Sequence, residues 1–114
     1  MIVKGVVELT SDTLDAEVTT GATPYLVDFW AEWCSPCHAV AQAVQELAED
    51  FEGRVRFGSV DVLAQTAASE RFEVMTLPTL IVFVDGAPVR RIAGARTKAQ
   101  LAAELDRILG AGAA

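Results

Sequence analysis

Tyr25-Leu26-Val27-Asp28-Phe29-Trp30, followed by Ala31-Glu32-Trp33-Cys34-Ser35-Pro36-Cys37, is the stretch from which the rest of the chain can be read. Its first six residues are apolar on both alternating faces except for one carboxylate, Asp28, as expected of a strand covered on both sides. Its end carries the only two cysteines of the chain, two residues apart. That spacing lets a disulfide close across one helical turn. A strand, a cysteine pair and then a helix form the setting in which this motif means thiol–disulfide exchange.

Downstream of the cysteines, Val40, Val44, Leu47, Ala48 and Phe51 recur at helical spacing, and Gly53 ends that helix. Arg54 to Val62 alternates as a strand. Gln65 to Phe72 reads as a short alanine-rich helix, and Thr79 to Val84 as a strong strand. Asp85-Gly86 is a turn pair, with Val89 to Ala93 as the returning strand of a hairpin. Thr97-Lys98-Ala99-Gln100 has the form of a capping box, and Leu101, Leu105, Ile108 and Leu109 give the final helix its buried stripe. Upstream, Val3 to Leu9 reads as a first strand. Thr10-Ser11-Asp12 supplies helix-start residues, and Leu14 and Val18 form one buried face. The tail from Gly110 to Ala114 is expected to fray. The order is β-α-β-α-β-α-β-β-α: an alternating first part that predicts parallel strands, then an antiparallel hairpin. A mixed sheet with helices on both faces satisfies both.

The chain has 114 residues, which fits one domain, residues 1–114, with a real core, and its 52 % hydrophobic content argues against disorder. No apolar run approaches the ~18 residues of a membrane span. The start, Met1-Ile2-Val3-Lys4-Gly5, carries no signal-peptide pattern, which favours the cytoplasm. Sixteen acidic residues against nine basic ones, a net charge of −7, disfavour nucleic acid and anionic membranes as partners. Nothing demands more than a monomer. With two cysteines the chain is not a disulfide-stapled miniprotein.

Exchange requires a thiolate. Cys34 falls where strand hands over to helix; the free amides and positive dipole end there favour an anion and make it the attacking sulfur. Cys37, inside the first turn, should be less exposed and attack the mixed disulfide. Pro36 suits the first turn, where its missing N–H is not needed, and stiffens the ring. Asp28 in a central strand is costly to bury charged, so its pKa should rise; if it points toward the cysteine-bearing helix, it can exchange a proton with Cys37. A sheet-edge position, or a bond to a backbone amide, is the alternative for Asp28. Three other readings of the cysteines weigh less. Two buried structural cysteines would not call for Trp33, Pro36 and a helix start. Two thiolates and one histidine make only three soft ligands for zinc, so no metal is expected. Cys34-Ser35-Pro36-Cys37-His38 also matches covalent attachment of c-type haem, with His38 axial and Met75 a second ligand. Haem attachment normally needs export, and the fold pattern is complete without a haem cavity, so no cofactor is expected.

The residues resemble the thioredoxin family. Val27 to Cys37 is similar to the family's active-site segment, Leu77-Pro78-Thr79 to its cis-proline loop, and Asp85-Gly86 and Gly94-Ala95 fall at matching positions. The likeness spans roughly residues 3 to 109. It implies a thioredoxin-like three-layer α/β/α fold, with a five-stranded mixed sheet of order 1-3-2-4-5 and four helices. It implies Cys34 as nucleophile, Cys37 as resolving thiol, Asp28 as buried proton acceptor and Pro78 in cis, with Trp30, Trp33, Ser35, Pro36 and His38 as supporting residues. Trp33, Val62, Leu77, Pro78, Gly94 and Ala95 map to its substrate-contact surface. Four residues depart from the family pattern. Ser35 replaces a glycine, His38 a lysine, Gln42 a kinking proline and Ser59 a buried lysine beside the aspartate. A straighter long helix and a further raised Asp28 pKa should follow.

The function expected is reduction of disulfide-containing protein substrates through the Cys34–Cys37 pair, with electrons from an upstream donor of the thioredoxin-reductase type. An oxidase or isomerase of the same chemistry is one alternative. The other is a binding module that uses the apolar rim around Trp33 and Pro78.

Overall fold

The computed structural model describes residues 3–112. Its centre is β2 (Tyr25–Trp30), every residue of which is buried. Around it run β1 (Val7–Glu8), α1 (Leu14–Thr19), α2 (Ser35–Asp50), β3 (Arg56–Asp61), α3 (Thr66–Arg71), β4 (Thr79–Val84), β5 (Ala87–Ala93) and α4 (Lys98–Gly112). The five strands form one sheet in the order β1-β3-β2-β4-β5. β3 lies parallel to both β1 and β2, whereas β4 is antiparallel to β2 and to β5. The sheet order and four helices expected from the family resemblance are therefore those of the molecule.

Strand alternation sorts the core into two layers. Leu26 on β2 and Leu80 and Val82 on β4 pack with Val40, Val44 and Leu47 of α2 and with Leu101 and Leu105 of α4. Tyr25, Val27 and Phe29 on β2 and Ile81 and Phe83 on β4 face the other way, onto Leu14 and Val18 of α1 and Ala68 of α3. Asp28 and Trp30 alternate with that second set, so they share the face of Leu26, the one covered by α2 and α4.

Local chemistry sets the element ends. Thr97 and Gln100 close a reciprocal cap on α4: the Thr97 amide donates to Gln100 Oε1 at 2.9 Å and the Gln100 amide to Thr97 Oγ1 at 3.1 Å. Asp85 and Gly86 take φ of 52° and 80°, the two left-handed positions of a two-residue hairpin turn.

Several boundaries differ from the sequence reading, four of them with a clear local cause. The first strand is two residues long rather than Val3–Leu9, because Lys4 and Gly5 turn the chain, with Gly5 at φ 79° and the Val6 amide bonded to the Val3 carbonyl at 3.1 Å. β3 starts at Arg56 rather than Arg54, because the amides of Arg54 and Val55 are spent on the Phe51 carbonyl at 2.8 and 3.0 Å as the chain leaves α2. β5 starts two residues before Val89, with Pro88 opposite Phe83; on an edge strand proline's missing donor faces no partner. α4 runs through Gly110 to Gly112, into the segment expected to fray, since a glycine weakens a helix by only ~1 kcal/mol. Ala113 and Ala114, like Met1 and Ile2, lie outside the described residues. α2 continues unbroken past Gln42, which supplies the amide a proline would lack.

A candidate active site at the amino end of α2

β2 ends at Trp30, the chain turns through Ala31 to Trp33, and α2 begins at Ser35 with Pro36 in its first turn. Cys34 is the residue that caps this helix. Its backbone is extended, at φ −87° and ψ 102°, and its Sγ accepts the Cys37 amide at 3.2 Å. The same amide bonds the Cys34 carbonyl at 3.1 Å, and the Cys34 amide bonds the Ala31 carbonyl at 3.1 Å. The two cysteines are joined as a disulfide, with their Cα atoms 5.3 Å apart. Cys34 is 4 % exposed and Cys37 wholly enclosed, so an incoming group reaches the first sulfur before the second. On reduction, an amide aimed at Cys34 Sγ and the positive end of a four-turn helix both favour the thiolate there.

Trp30, Ala31, Cys34 and Cys37 form one buried cluster, and the half-buried Val62 and Leu77 pack against it. Val62 is held there by its amide, which donates to the Trp30 carbonyl at 3.0 Å. The Leu77–Pro78 bond is cis. Pro78 is buried, and its carbonyl accepts the Gly94 amide at 2.8 Å, tying the Gly94-Ala95 turn to the proline loop. Gly94 sits at φ 91°, a backbone position that only glycine takes without strain. Around this cluster the surface is open: Ser35, Pro36, His38 and Ala95 are exposed, and Trp33 is 68 % exposed.

Asp28 lies one alternation deeper along β2, between Leu26 of the main core and Trp30 of the cysteine cluster. Strands flank it on both sides, Ser59 on β3 and Leu80 on β4, which removes the sheet-edge alternative. It is 2 % exposed, and its Oδ1 has no hydrogen-bond partner among the described residues, so a bond from an amide does not settle that oxygen either. Desolvation pushes its pKa from 3.8 up to about 7, and no cation opposes the rise. Beside its register partner Ser59, a cleft of about 240 Å³ opens along the β3 edge beyond the short β1, lined by Trp30, Ser59, Asp61 and Gln65 among others.

Four residues take places in the site that the sequence reading did not give them. Ala31 is fully buried in the cysteine cluster, and its carbonyl holds the Cys34 amide. Thr79, 1 % exposed, donates its hydroxyl to the Thr76 carbonyl and braces the proline loop. The Glu32 carbonyl bonds the His38 ring at 2.8 Å. Met75, weighed above only as a metal ligand, stands 91 % exposed in the loop leading to Pro78. The Thr79 hydroxyl, next to a turn, had a local signal; the other three are set by tertiary placement.

Comparison with known proteins agrees with this geometry. A family model described as Thioredoxin matches residues 5–107. Curated thioredoxins of Staphylococcus aureus, from strains Mu50 and MW2, are each 42 % identical over 104 residues, covering 91 % of this chain and 98 % of the relative.

Proposed function

This chain belongs to the thioredoxin family, and we propose that within it Cys34 attacks, Cys37 resolves and Asp28 moves the proton between them. The protein is a thiol–disulfide oxidoreductase, a protein-disulfide reductase that works on disulfide-containing proteins and is itself re-reduced by a reductase partner. In the reduced form, the Cys34 thiolate attacks one sulfur of the substrate disulfide. A Cys34–substrate disulfide forms, and the first substrate sulfur leaves as a thiolate. Asp28 accepts the Cys37 proton. The Cys37 thiolate then attacks Cys34 Sγ, closing the internal disulfide and expelling the second substrate sulfur. Two electrons pass to the substrate, and the Cys34–Cys37 pair ends oxidised. A carboxyl titrating near neutral pH is matched to this transfer, being able both to take the proton and to return it.

Trp33, Val62, Leu77, Pro78, Gly94 and Ala95 form the surface on which the substrate segment lies. The backbone of Leu77, beside the cis bond, pairs with it. Trp30, Ser35 and Pro36 shape the sulfur environment, and His38 supports the site from the first turn of α2. Residues 1–114 act as one domain and one monomer, since every group in this scheme comes from one five-stranded sheet, its helices and the loops that join them. No cofactor and no nucleic-acid or membrane partner enters the scheme. No helix among the described residues is long and apolar enough to cross a membrane. The working place is the cytoplasm, where reductases keep such pairs reduced. The oxidase and binding-module alternatives are not favoured.

The observation that carries this reading is the Cys34–Cys37 disulfide closed over the first turn of α2, with Cys34 Sγ on the Cys37 amide. The deciding experiment is insulin reduction with dithiothreitol as donor. The protein should accelerate precipitation of the insulin B chain well beyond dithiothreitol alone. An equal rate overturns the reading. Redox titration against glutathione checks the direction, which should place the pair on the reducing side of the glutathione couple.

A further inference from the structure

The loop that carries Trp33 is fastened to α2 from outside by a side chain. His38, in the first turn of the helix, places its Nε2 2.8 Å from the Glu32 carbonyl, six residues back along the chain. A carbonyl only accepts, so Nε2 carries the hydrogen, which fixes the neutral ring as the Nε2–H tautomer and leaves Nδ1 free. The imidazolium donates from the same atom, so the bond persists in either charge state. The ring thus closes a loop, Glu32 to His38, that encloses Trp33 and both sulfurs. The inner side of that loop is held by backbone bonds, Cys34 amide to Ala31 carbonyl and Cys37 amide to Cys34 carbonyl. Glu32 and Trp33 lie on the outer side and are exposed.

We propose that His38 is a positioning residue for substrate docking: its bond to the Glu32 carbonyl fixes Trp33 in the pose that receives a protein substrate. The role rests on reading Trp33 as a substrate contact. A Trp33 backbone held in place before the encounter loses less freedom on binding, so the clasp acts on affinity rather than on the exchange step.

The test is steady-state insulin reduction over a range of insulin concentrations. Four variants are compared: His38→Ala, His38→Gln, Trp33→Ala and the double variant His38→Ala/Trp33→Ala. Loss of one solvent-exposed hydrogen bond should raise the insulin KM of His38→Ala about fivefold, with kcat kept within about twofold. Gln carries an amide N–H at the same number of bonds from Cβ as His Nε2, so His38→Gln should restore the KM. In the Trp33→Ala background, His38→Ala should add nothing. Three results overturn the clasp: a fall in kcat at unchanged KM, a Gln variant that behaves like Ala, or full additivity in the double variant. A raised KM in Trp33→Ala with a normal KM in His38→Ala overturns the clasp alone. An unchanged KM in Trp33→Ala removes the Trp33 reading and the clasp with it.

Discussion

Asp28 on β2 and Ser59 on β3 are register partners in the parallel ladder, so the buried carboxyl has a hydroxyl-bearing residue, not a cation, as its neighbour across the strands. Strand register puts the two side chains on the same face, and the cleft at the β3 edge reaches Ser59. The relationship bears on both proton transfer and stability.

Asp28 lowers stability at neutral and higher pH. Its folded-state pKa, about 7, lies above the ordinary 3.8, so the folded chain holds a proton that the unfolded chain releases. The contribution is therefore fully present below about pH 4 and is lost as pH rises through about 7. The whole span corresponds to at most roughly 4 kcal/mol. Asp28→Asn should be more stable than the parent at pH 8, by roughly 2–4 kcal/mol, with the gap closing toward pH 4. Urea unfolding at several pH values checks the slope; a gap that does not vary with pH removes the buried charge as its cause.

Ser59→Lys should bring the Asp28 pKa back down by about 1–3 pH units, because an ammonium across the strand pair favours the carboxylate. The cleft leaves the longer side chain a way out to solvent. Carbon-13 NMR of the labelled Asp28 carboxyl measures the titration directly. The acid limb of the Cys37 resolving step should move with it, and a limb that stays in place separates Asp28 from that step.

Cys37→Ser should trap substrate as a stable Cys34-linked adduct, visible on a non-reducing gel, because the group that releases it is gone. Cys34→Ser should trap none, and turnover in both variants should fall by more than about a hundredfold, since the nucleophile or its resolving partner is missing. Adducts forming equally on either sulfur would reverse or erase the assigned roles.

Gly58→Ala should destabilise the fold by about 1–3 kcal/mol without a glycine backbone being at issue. A Cβ there would stand 2.7 Å from Leu9 Cδ1 and 2.9 Å from the Tyr25 ring. Tyr25 is pinned in turn: its hydroxyl donates to Glu17 Oε1 at 3.2 Å, and Glu17 pairs with Arg56 at 2.6 Å. That bonding resists displacement of the ring. Thermal unfolding should show the loss, while Tyr25→Phe in the Gly58→Ala background should recover part of it by removing the crowded oxygen.

Much of this was legible because the informative signals were local. The bounds of β2 and β4 coincide with the apolar runs Tyr25–Trp30 and Thr79–Val84. The Asp85-Gly86 turn and the Thr97/Gln100 cap were written in residue types that serve few other purposes. The first strand was misjudged because Val3, Val6 and Val7 keep a strand-like composition across a turn that a single glycine makes. The buried carboxyl of Asp28 was readable as an oddity, but only the sheet order decides between an edge and a centre. His38 stood out in the sequence, but its bond to Glu32 had no signal there, since the acceptor is a backbone carbonyl that every residue carries.

The outermost rung of the sheet, β1, is two residues long, whereas β2 is laced to both of its neighbours over nearly its full length. Under a mechanical load applied at its amino end, the molecule should shed that rung with little work and then resist. The sulfurs follow β2 directly, so their setting should survive that first loss.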